Sequence, residues 1–328
     1  MNKNRLVIVL LIIAIVLLLG NVAVSLFKKK AEKPEQIDSS VMEITQGFLK
    51  ILDDYGIEEE WIRTKKYKPA DDDSINSKFE INLPYDLPIP LILKELSDRF
   101  SKNEINILNE EKAINGGSSL KIYSGGYLKL NADINYNKQL QRNRSKILMI
   151  IIDYQNLDEL LGITYPFTIA LLPSFNSETD IKKLKEYKHD FVILIGDEIT
   201  ESNFKLDESF DRKRLSSSVK AVSTVFADAK YCVYDNASEI SKSPVFSFIR
   251  DEFQKQHKKI ISKAHFKDLT TTDIDEVKSL LKFYCETGDT NSVFHLIITS
   301  ENFLNITGEV DYFKKRGNTF ITAKEGEL

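Results

Sequence analysis

The sequence contains few of the residues that most often build metal centres and redox sites. Its 328 residues include two cysteines, four histidines and one tryptophan. The cysteines, Cys232 and Cys285, are far apart and match no metal-binding or redox spacing. Each lies in an apolar stretch, so we expect both to be buried and unreactive. The sequence alone leaves open whether they form a disulfide.

The main part of the chain also lacks an excess of positive charge. The sequence has 45 basic and 49 acidic side chains, and residues 1–30 contain five of the basic ones and none of the acidic ones. The rest of the chain therefore holds 40 basic and 49 acidic groups, a net charge of −9. A nucleic-acid-binding surface needs a concentration of positive charge. We therefore expect no nucleic acid among the partners.

One hydrophobic run is long enough to cross a membrane. Residues 6–27 contain only three clearly non-apolar positions, and a helix of this length spans the roughly 30 Å of a bilayer core. We therefore expect residues 1–30 to be a membrane anchor, with the bulk of the chain outside the cytoplasm, in a bacterial periplasm or cell envelope. A cleaved signal peptide, with Ala23 and Ser25 near the cleavage site, is the alternative.

The segment between this run and residue 136 shows two patterns. Residues 31–77 are predicted to form a linker followed by short helices, since apolar residues recur at helical spacing between 41 and 52. From 78 to 136, apolar and polar residues alternate as in strands, around one helix that begins near Pro88 or Pro90. Residues 78–136 are thus predicted to form a small α+β accessory domain, one sheet with a helix across it.

From residue 146 to 328, strand-like and helix-like segments alternate. A long irregular segment at 197–214, rich in Asp, Glu and Ser, is a candidate lid. Strands, several of them uninterrupted apolar runs expected to be buried on both faces, are predicted at 147–152, 167–172, 191–196, 230–234, 258–263, 292–298 and 318–323. Seven strands that alternate with helices imply a parallel α/β fold, open or closed into a barrel.

Acidic residues follow several of these strands. In parallel α/β folds the ligand site lies beyond the carboxyl ends of the strands. Asp153, Glu198 and Asp235 each follow a buried strand closely, so we predict that they lie in one cleft. A strand-ending aspartate is more often a cap or a turn residue, and for Asp153 that interpretation stays open.

The order of segments over 146–324 resembles the divergent polysaccharide deacetylases, distant relatives of the chitooligosaccharide and peptidoglycan deacetylases. Members of that family open with a buried strand that ends in Asp-Asp. The corresponding segments of this chain are IIIDY at 150–154, IALLP at 169–173, HDFVILIGDE at 189–198, VYDNAS at 233–238 and HLIITSE at 295–301. The resemblance implies a distorted (β/α) barrel of seven or so units. It also implies a divalent metal, usually zinc, that helps to hydrolyse N-acetyl groups on glycans.

The chain departs from the family pattern at the residues that do the chemistry. Tyr154 replaces the second aspartate, and family histidines fall on Leu194 and Asp235. Asp153 keeps the first aspartate. The resemblance therefore implies Asp153 and Glu198 as catalytic residues, and Asp153 and Asp235 as the metal ligands that remain. An all-oxygen set suits magnesium or calcium better than zinc.

Two functions follow from this pattern of loss. The first is a catalytically inactive, membrane-anchored protein without a cofactor, which binds an envelope glycan or an envelope protein through the cleft. The second is an active deacetylase that uses a divalent metal in a rearranged carboxylate site. An envelope assembly protein without a glycan ligand is a third possibility. Aromatic residues near strand ends are candidates for stacking on sugar rings, although most aromatics at such spacing belong to the core; they are Tyr154, Tyr165, Phe175, Tyr231 and Tyr234. The residues predicted to line the cleft are Tyr154, Ser174, Asp235, Asn236, Ser238 and His265.

Overall fold

The structure is a computed structural model that describes residues 40–68, 75–101, 105–112, 116–142, 144–289 and 291–328. The predicted membrane anchor lies outside these residues, and none of the helices within them has the length and apolar character to span a bilayer. The chain divides into two units. The N-terminal unit runs up to residue 51 and from 59 to 138, and the C-terminal unit comprises 52–58 and 139–328.

The N-terminal unit is built on a mixed sheet of five strands. Its order is β1-β2-β5-β4-β3, in which β2 and β5 are parallel and all other neighbours are antiparallel. The strands are β1 (Ile62–Lys66), β2 (Ser77–Leu83), β3 (Asn106–Glu111), β4 (Ser118–Ser124) and β5 (Tyr127–Tyr136), and the helices are α1 (Val41–Asp54) and α2 (Ile89–Phe100). Strand β1 lies in the segment predicted as linker and short helices, because IRTKK is mostly charged and shows no apolar alternation.

The C-terminal unit is an all-parallel sheet of eight strands. They are β6 (Lys146–Ile152), β7 (Thr168–Leu171), β8 (Asp190–Ile195), β9 (Tyr231–Tyr234), β10 (Lys259–Ser262), β11 (Lys267–Leu269), β12 (Val293–Thr299) and β13 (Thr319–Ile321). The order is β10-β9-β8-β7-β6-β12-β11, and β13 pairs with the first half of β6. The predicted parallel α/β class is confirmed, and every predicted strand lies within two residues of its expected position.

One detail of this sheet corrects the prediction, and a second answers a question that the sequence left open. The expected count of seven strands is one too few, because β11 has only three residues, two of them charged, and forms no apolar run. The ends of the strand order, β10 and β11, are consecutive in the chain, and the described residues show no backbone pairing between them. The sheet is thus not closed by strand pairing in the described part of the chain, and its parallel β/α order agrees with the (β/α) units that the resemblance implied.

Helices connect the strands. They are α3 (Leu157–Leu161), α4 (Ser177–Glu186), α5 (Arg212–Val225), α6 (Glu239–Lys242), α7 (Phe246–Lys255), α8 (Ile274–Thr287), α9 (Ser300–Asn305) and α10 (Thr307–Lys315). The last two share one apolar stripe at helical spacing but are separate helices. The backbone breaks at Ile306, with φ −106°, although the apolar stripe Phe303, Ile306, Val310 and Phe313 is buried throughout. Because the apolar periodicity continues across the break, the sequence does not predict where the first helix ends.

Strand β6 separates two apolar clusters. Ile147, Met149 and Ile151 belong to a large cluster that includes the helices, whereas Leu148, Ile150 and Ile152 belong to a second cluster on the other face of the sheet. We call the second one the inner cluster. Its other members are Ala170, Val192, Val233, Ile261, Phe266, Ile297, Ile321, Ala323 and Leu328. The prediction that β6 is buried on both faces is confirmed.

Both cysteines are free and fully buried. Burial raises the pKa of the Cys232 thiol, and it raises that of Cys285 to about 12. The thiolate is the reactive form of cysteine. The expectation of buried, unreactive thiols is therefore confirmed, and the question of a disulfide between them is settled in the negative.

A buried lysine holds the end of helix α5. Lys258 is only 6% exposed, and its ammonium donates hydrogen bonds to the carbonyl oxygens of Phe226 (2.8 Å), Ala227 (2.8 Å) and Ala229 (2.5 Å). These carbonyls belong to the turn that follows α5, close to the C-terminus of the helix, where a cation is favourable. Burial lowers the pKa of Lys258. The three hydrogen bonds offset that desolvation.

We predict that Lys258→Met lowers the free energy of unfolding by about 1–3 kcal/mol, because the apolar stem remains while buried carbonyls lose their donor. Urea-induced unfolding of the purified protein measures this change. Lys255→Met is the matched control, because Lys255 is exposed and, among the described residues, pairs only with Glu252 on the same helix. Its effect should stay within about 0.5 kcal/mol. Equal effects of the two substitutions would contradict the capping role.

Candidate ligand-binding cavity

A cavity of about 850 Å³ opens at the carboxyl ends of β6, β7, β8 and β9. These strands are adjacent in the sheet, so the residues that follow them meet at one place. Six of the residues predicted from the sequence line this cavity: Asp153, Tyr154, Ser174, Glu198, Asp235 and Ser238. The structure therefore brings the three predicted carboxylates to a single site. Their chemical roles stay predictions.

The floor of the cavity is hydrocarbon. Ile152, Ala170 and Ile297 of the inner cluster reach the cavity, and Leu194 packs against that cluster. Leu194 occupies the position where the resemblance implied a histidine. An apolar side chain there provides no electron pair for a metal ion. It provides instead a surface that favours contact with the apolar part of a ligand.

Asp153 and Glu198 are exposed, and neither carboxylate has a hydrogen bond or ion pair within the described residues. Asp153 has a backbone φ of +55°, a conformation that aspartate tolerates better than most residues. Its carbonyl oxygen accepts a hydrogen bond of 3.1 Å from Ser300 Oγ, which fixes the turn after β6. The Glu198 carboxylate lies against Gly196, where any Cβ atom would collide with it. Both carboxylates are therefore available to a ligand.

Two further acidic residues that line the cavity, on the loops after β8 and β9, are already engaged. Asp235 accepts a hydrogen bond of 2.7 Å from the Ala237 N–H, and its carboxylate lies 3.8 Å from Lys263 Nζ. Asp197 was not singled out from the sequence. Its carboxylate accepts hydrogen bonds from the N–H groups of Glu239 (2.6 Å) and Ile240 (3.0 Å). Asp197 thus ties the β8–α5 loop to the start of α6, and no feature of the sequence distinguishes it from Glu198.

Tyr154 is hydrogen-bonded inside the cavity wall. Its hydroxyl donates to Asp180 Oδ2 at 3.2 Å. Burial and the negative charge of Asp180 raise the pKa of Tyr154. The phenol is therefore protonated at neutral pH, and it cannot replace the missing second aspartate as a base. Asp180 lies on α4 and was not identified from the sequence, because its partner comes from a different loop.

An ion pair between α3 and α4 includes a lysine that lines the cavity. Lys183 of α4 donates to Asp158 Oδ1 of α3 at 2.7 Å, and this hydrogen bond raises the pKa of Lys183. Lys183 lines the cavity together with Lys263. The rim therefore carries hydrogen-bond donors as well as carboxylates, and both kinds of group are needed to bind a ligand that is rich in hydroxyl groups.

Two predicted contact residues lie elsewhere. Asn236 does not line the cavity, and its side-chain oxygen accepts a hydrogen bond of 2.8 Å from Ser262 Oγ. His265 ends the short 3₁₀ turn after β10, and its Nε2 atom lies 3.0 Å from His295 Nδ1. The turn directs His265 towards β12 and leaves Lys263 at the cavity. A position just beyond a strand does not show which residue of a turn faces the site.

The residues present do not fit a zinc centre. The described residues contain no group of three or more His, Cys, Asp or Glu side chains that is arranged to hold a metal ion. Zinc sites in proteins use three or four such ligands. Of the predicted ligands, Asp153 is unpaired, whereas Asp235 already accepts a backbone hydrogen bond. We therefore assign no metal ligand on the basis of the structure.

Comparison with known proteins adds little to this description. No family model matches the chain, and no curated protein matches it. Among solved structures, it is similar to a CE4 family pseudoenzyme from Bacillus anthracis, with 13% identity over 71% of this chain and 94% of that chain, and a TM-score of 0.39. A mutant of that pseudoenzyme gives 11% identity, 71% and 97% coverage and a TM-score of 0.37. Similarities this distant carry no argument about family or function.

We predict that Tyr154→Phe destabilises the protein by about 1.5 kcal/mol, because it removes a hydrogen bond to a charged acceptor. Tyr165→Phe is the matched control. The Tyr165 hydroxyl is buried and has no hydrogen-bond partner within the described residues, so its removal should be neutral or stabilising. Chemical denaturation at pH 7 measures both changes.

The effect of Tyr154→Phe on the free energy of unfolding should depend on pH. The folded-state pKa of Tyr154 is raised above its ordinary value of 10.0, so the unfolded chain releases this proton first. Wild-type stability therefore falls as the pH rises above 10. We expect the difference between wild type and Tyr154→Phe to shrink over that range. A difference that is constant with pH would contradict a buried, protonated Tyr154.

Proposed function

We propose that the C-terminal unit binds a carbohydrate in this cavity, as a polysaccharide-deacetylase-like protein that does not carry out zinc-dependent deacetylation. The observation that carries the proposal is the combination of a hydrocarbon floor with a rim of unpaired carboxylates. A pyranose ring has apolar C–H faces and a belt of hydroxyl groups. Its faces suit Leu194 and Ile297, and its hydroxyl groups suit Asp153 and Glu198.

The size and polarity of the cavity support this choice. Its volume of about 850 Å³ is within the range of about 300–1,000 Å³ that is usual for small-molecule sites. Carboxylates accept hydrogen bonds from hydroxyl groups, and the ammonium of Lys263 donates to hydroxyl or acetyl oxygens. The net charge of the chain, −4, gives no general attraction for a polyanion. We therefore favour a neutral, N-acetylated glycan over a strongly acidic one.

The absence of zinc chemistry follows from the same residues. Metal-dependent deacetylation needs ligands that hold the ion, a group that activates water and a group that protonates the leaving amine. Leu194 lines the cavity floor where the family would place a ligand, and the Tyr154 phenol stays protonated. The two unpaired carboxylates are the one feature that favours the second candidate, a hydrolase with a rearranged site. In that candidate Asp153 and Glu198 would be the catalytic residues.

We also propose that the protein is anchored in the membrane through residues 6–27, with its cavity facing an envelope glycan. The apolar character of these residues supports the anchor. Cell fractionation tests this part of the proposal. The full chain should remain with the membranes in high salt and in alkaline carbonate, and a chain without residues 1–30 should not.

We predict that Asp153→Asn weakens the binding of chitohexaose by about tenfold, which corresponds to about 1.4 kcal/mol and to the loss of a charged hydrogen-bond acceptor. Asparagine tolerates the positive φ, so the fold should persist. Isothermal titration calorimetry measures the affinity. Asp251→Asn is the control, because Asp251 is exposed on α7 and does not line the cavity. Unchanged affinity of Asp153→Asn would contradict the proposed site.

We predict no release of acetate when the protein is incubated with zinc and acetylated chitooligosaccharides or peptidoglycan fragments. The physical reason is the lack of a ligand set that would keep zinc in the cavity and lower the pKa of a bound water. Acetate release that disappears in both Asp153→Asn and Glu198→Gln would contradict this prediction and establish the second candidate.

A further inference from the structure

Phe175 is held in solvent at the mouth of the cavity. Its side chain is 81% exposed, more than any other large hydrophobic residue of the described chain. Its neighbours on both sides, Ser174 and Asn176, line the cavity. Within the described residues its ring pairs with no other aromatic side chain. A phenylalanine in this position forgoes the roughly 1.5–3 kcal/mol that its burial would contribute to stability.

The backbone around Phe175 is fixed by hydrogen bonds. The Ser174 N–H donates to Ser177 Oγ at 2.8 Å, and the Ser177 N–H donates to the Ser174 carbonyl at 3.1 Å. The Ser177 hydroxyl, which is buried, also donates to the Leu172 carbonyl at 3.4 Å. These contacts form a tight turn between β7 and α4. The exposed ring therefore stands on a fixed support and not on a loose loop.

A carboxylate lies beside the backbone of Phe175. The Phe175 N–H donates to Glu201 Oε1 at 3.3 Å, and Thr200 Oγ1 donates to Glu201 Oε2 at 3.3 Å. Glu201 belongs to the irregular segment that was predicted as a candidate lid. Each carboxylate oxygen has lone pairs left for further hydrogen bonds. The mouth of the cavity thus presents a flat apolar ring next to hydrogen-bond acceptors.

We propose that Phe175 and Glu201 form a second sugar subsite outside the cavity, in which a pyranose ring stacks on Phe175 and donates hydroxyl hydrogen bonds to Glu201. The inference rests on the proposed function, since it takes the glycan chain out of the cavity onto its rim. The C–H bonds of a sugar face are slightly positive, and they contact the negative face of an aromatic ring. The ligand is then an oligosaccharide of at least two units. A single sugar would bind in the cavity and would not reach Phe175.

The test uses the full-length protein with two probes, N-acetylglucosamine and chitohexaose. Phe175→Ala should weaken the binding of chitohexaose by about tenfold, on the scale of one aromatic contact, and leave the binding of N-acetylglucosamine unchanged. Phe175→Trp should restore or exceed wild-type affinity. Phe283→Ala is the matched control, because Phe283 is an exposed phenylalanine on α8 that does not line the cavity.

Phe175→Leu separates stacking from general apolar contact, since leucine keeps the apolar surface but not the flat face. We expect it to bind chitohexaose as weakly as Phe175→Ala. In NMR spectra of the ligand, the wild-type protein should also move the C–H protons of one sugar ring upfield, and Phe175→Leu should not.

Three results would overturn the inference. If Phe175→Ala binds chitohexaose like wild type while Asp153→Asn weakens it, the cavity binds glycan and the second subsite does not exist. Wild-type affinity in Phe175→Leu would show that the contact is apolar only. If the wild-type protein binds neither probe, the proposed function fails and this inference fails with it.

Discussion

Strand β6 is covered by apolar side chains on both faces, and the positions of the other elements of the C-terminal unit follow from this. A strand with no face towards water must have neighbours on both edges and layers on both sides. β6 pairs with β7 on one edge and β12 on the other, and β13 pairs with its first half. Parallel neighbours require crossover helices. The carboxyl ends of the strands therefore meet on one side, where Asp153 follows β6 directly.

The inner cluster also determines the chemistry of the cavity. Alternate side chains of the strands continue the hydrocarbon of this cluster up to the cavity floor, through Ile152, Leu194 and Ile297. The charged groups lie on the loops beyond the strand ends and on α4. Such a site favours a ligand with one apolar face and one polar belt. It does not surround a metal ion, because Ile152, Leu194 and Ile297 carry no donor atom.

Much of this architecture can be predicted from the sequence, because buried parallel strands are apolar runs with polar ends. The runs locate β6 to β10, β12 and β13, and the first polar residues after them locate the cavity. Features that are short, that lie within a continuous apolar pattern or that depend on long-range contacts are not predicted. β11 is three residues long, the helix break at Ile306 lies within a regular apolar stripe, and Asp180 meets Tyr154 only through folding.

The side chains of turns are the hardest to assign. His265 and Lys263 lie in the same 3₁₀ turn, yet Lys263 lines the cavity while His265 contacts His295. Asp197 and Glu198 are adjacent, yet the first caps α6 and the second is unpaired. Sequence gives no direction for a side chain in an irregular segment. Direction depends on φ and ψ at each residue and on the hydrogen bonds that the fold makes available.

Methyl NMR of isoleucine- and leucine-labelled protein, titrated with chitohexaose in the presence of a metal chelator, tests the central claim most directly. The account predicts that the methyl signals of Ile152, Leu172, Leu194 and Ile297 move on titration. Those of Ile147 and Ile151, which face the helices, should not move. Signals at the cavity floor that stay in place, or that move only after zinc replaces the chelator, would contradict a metal-independent glycan site.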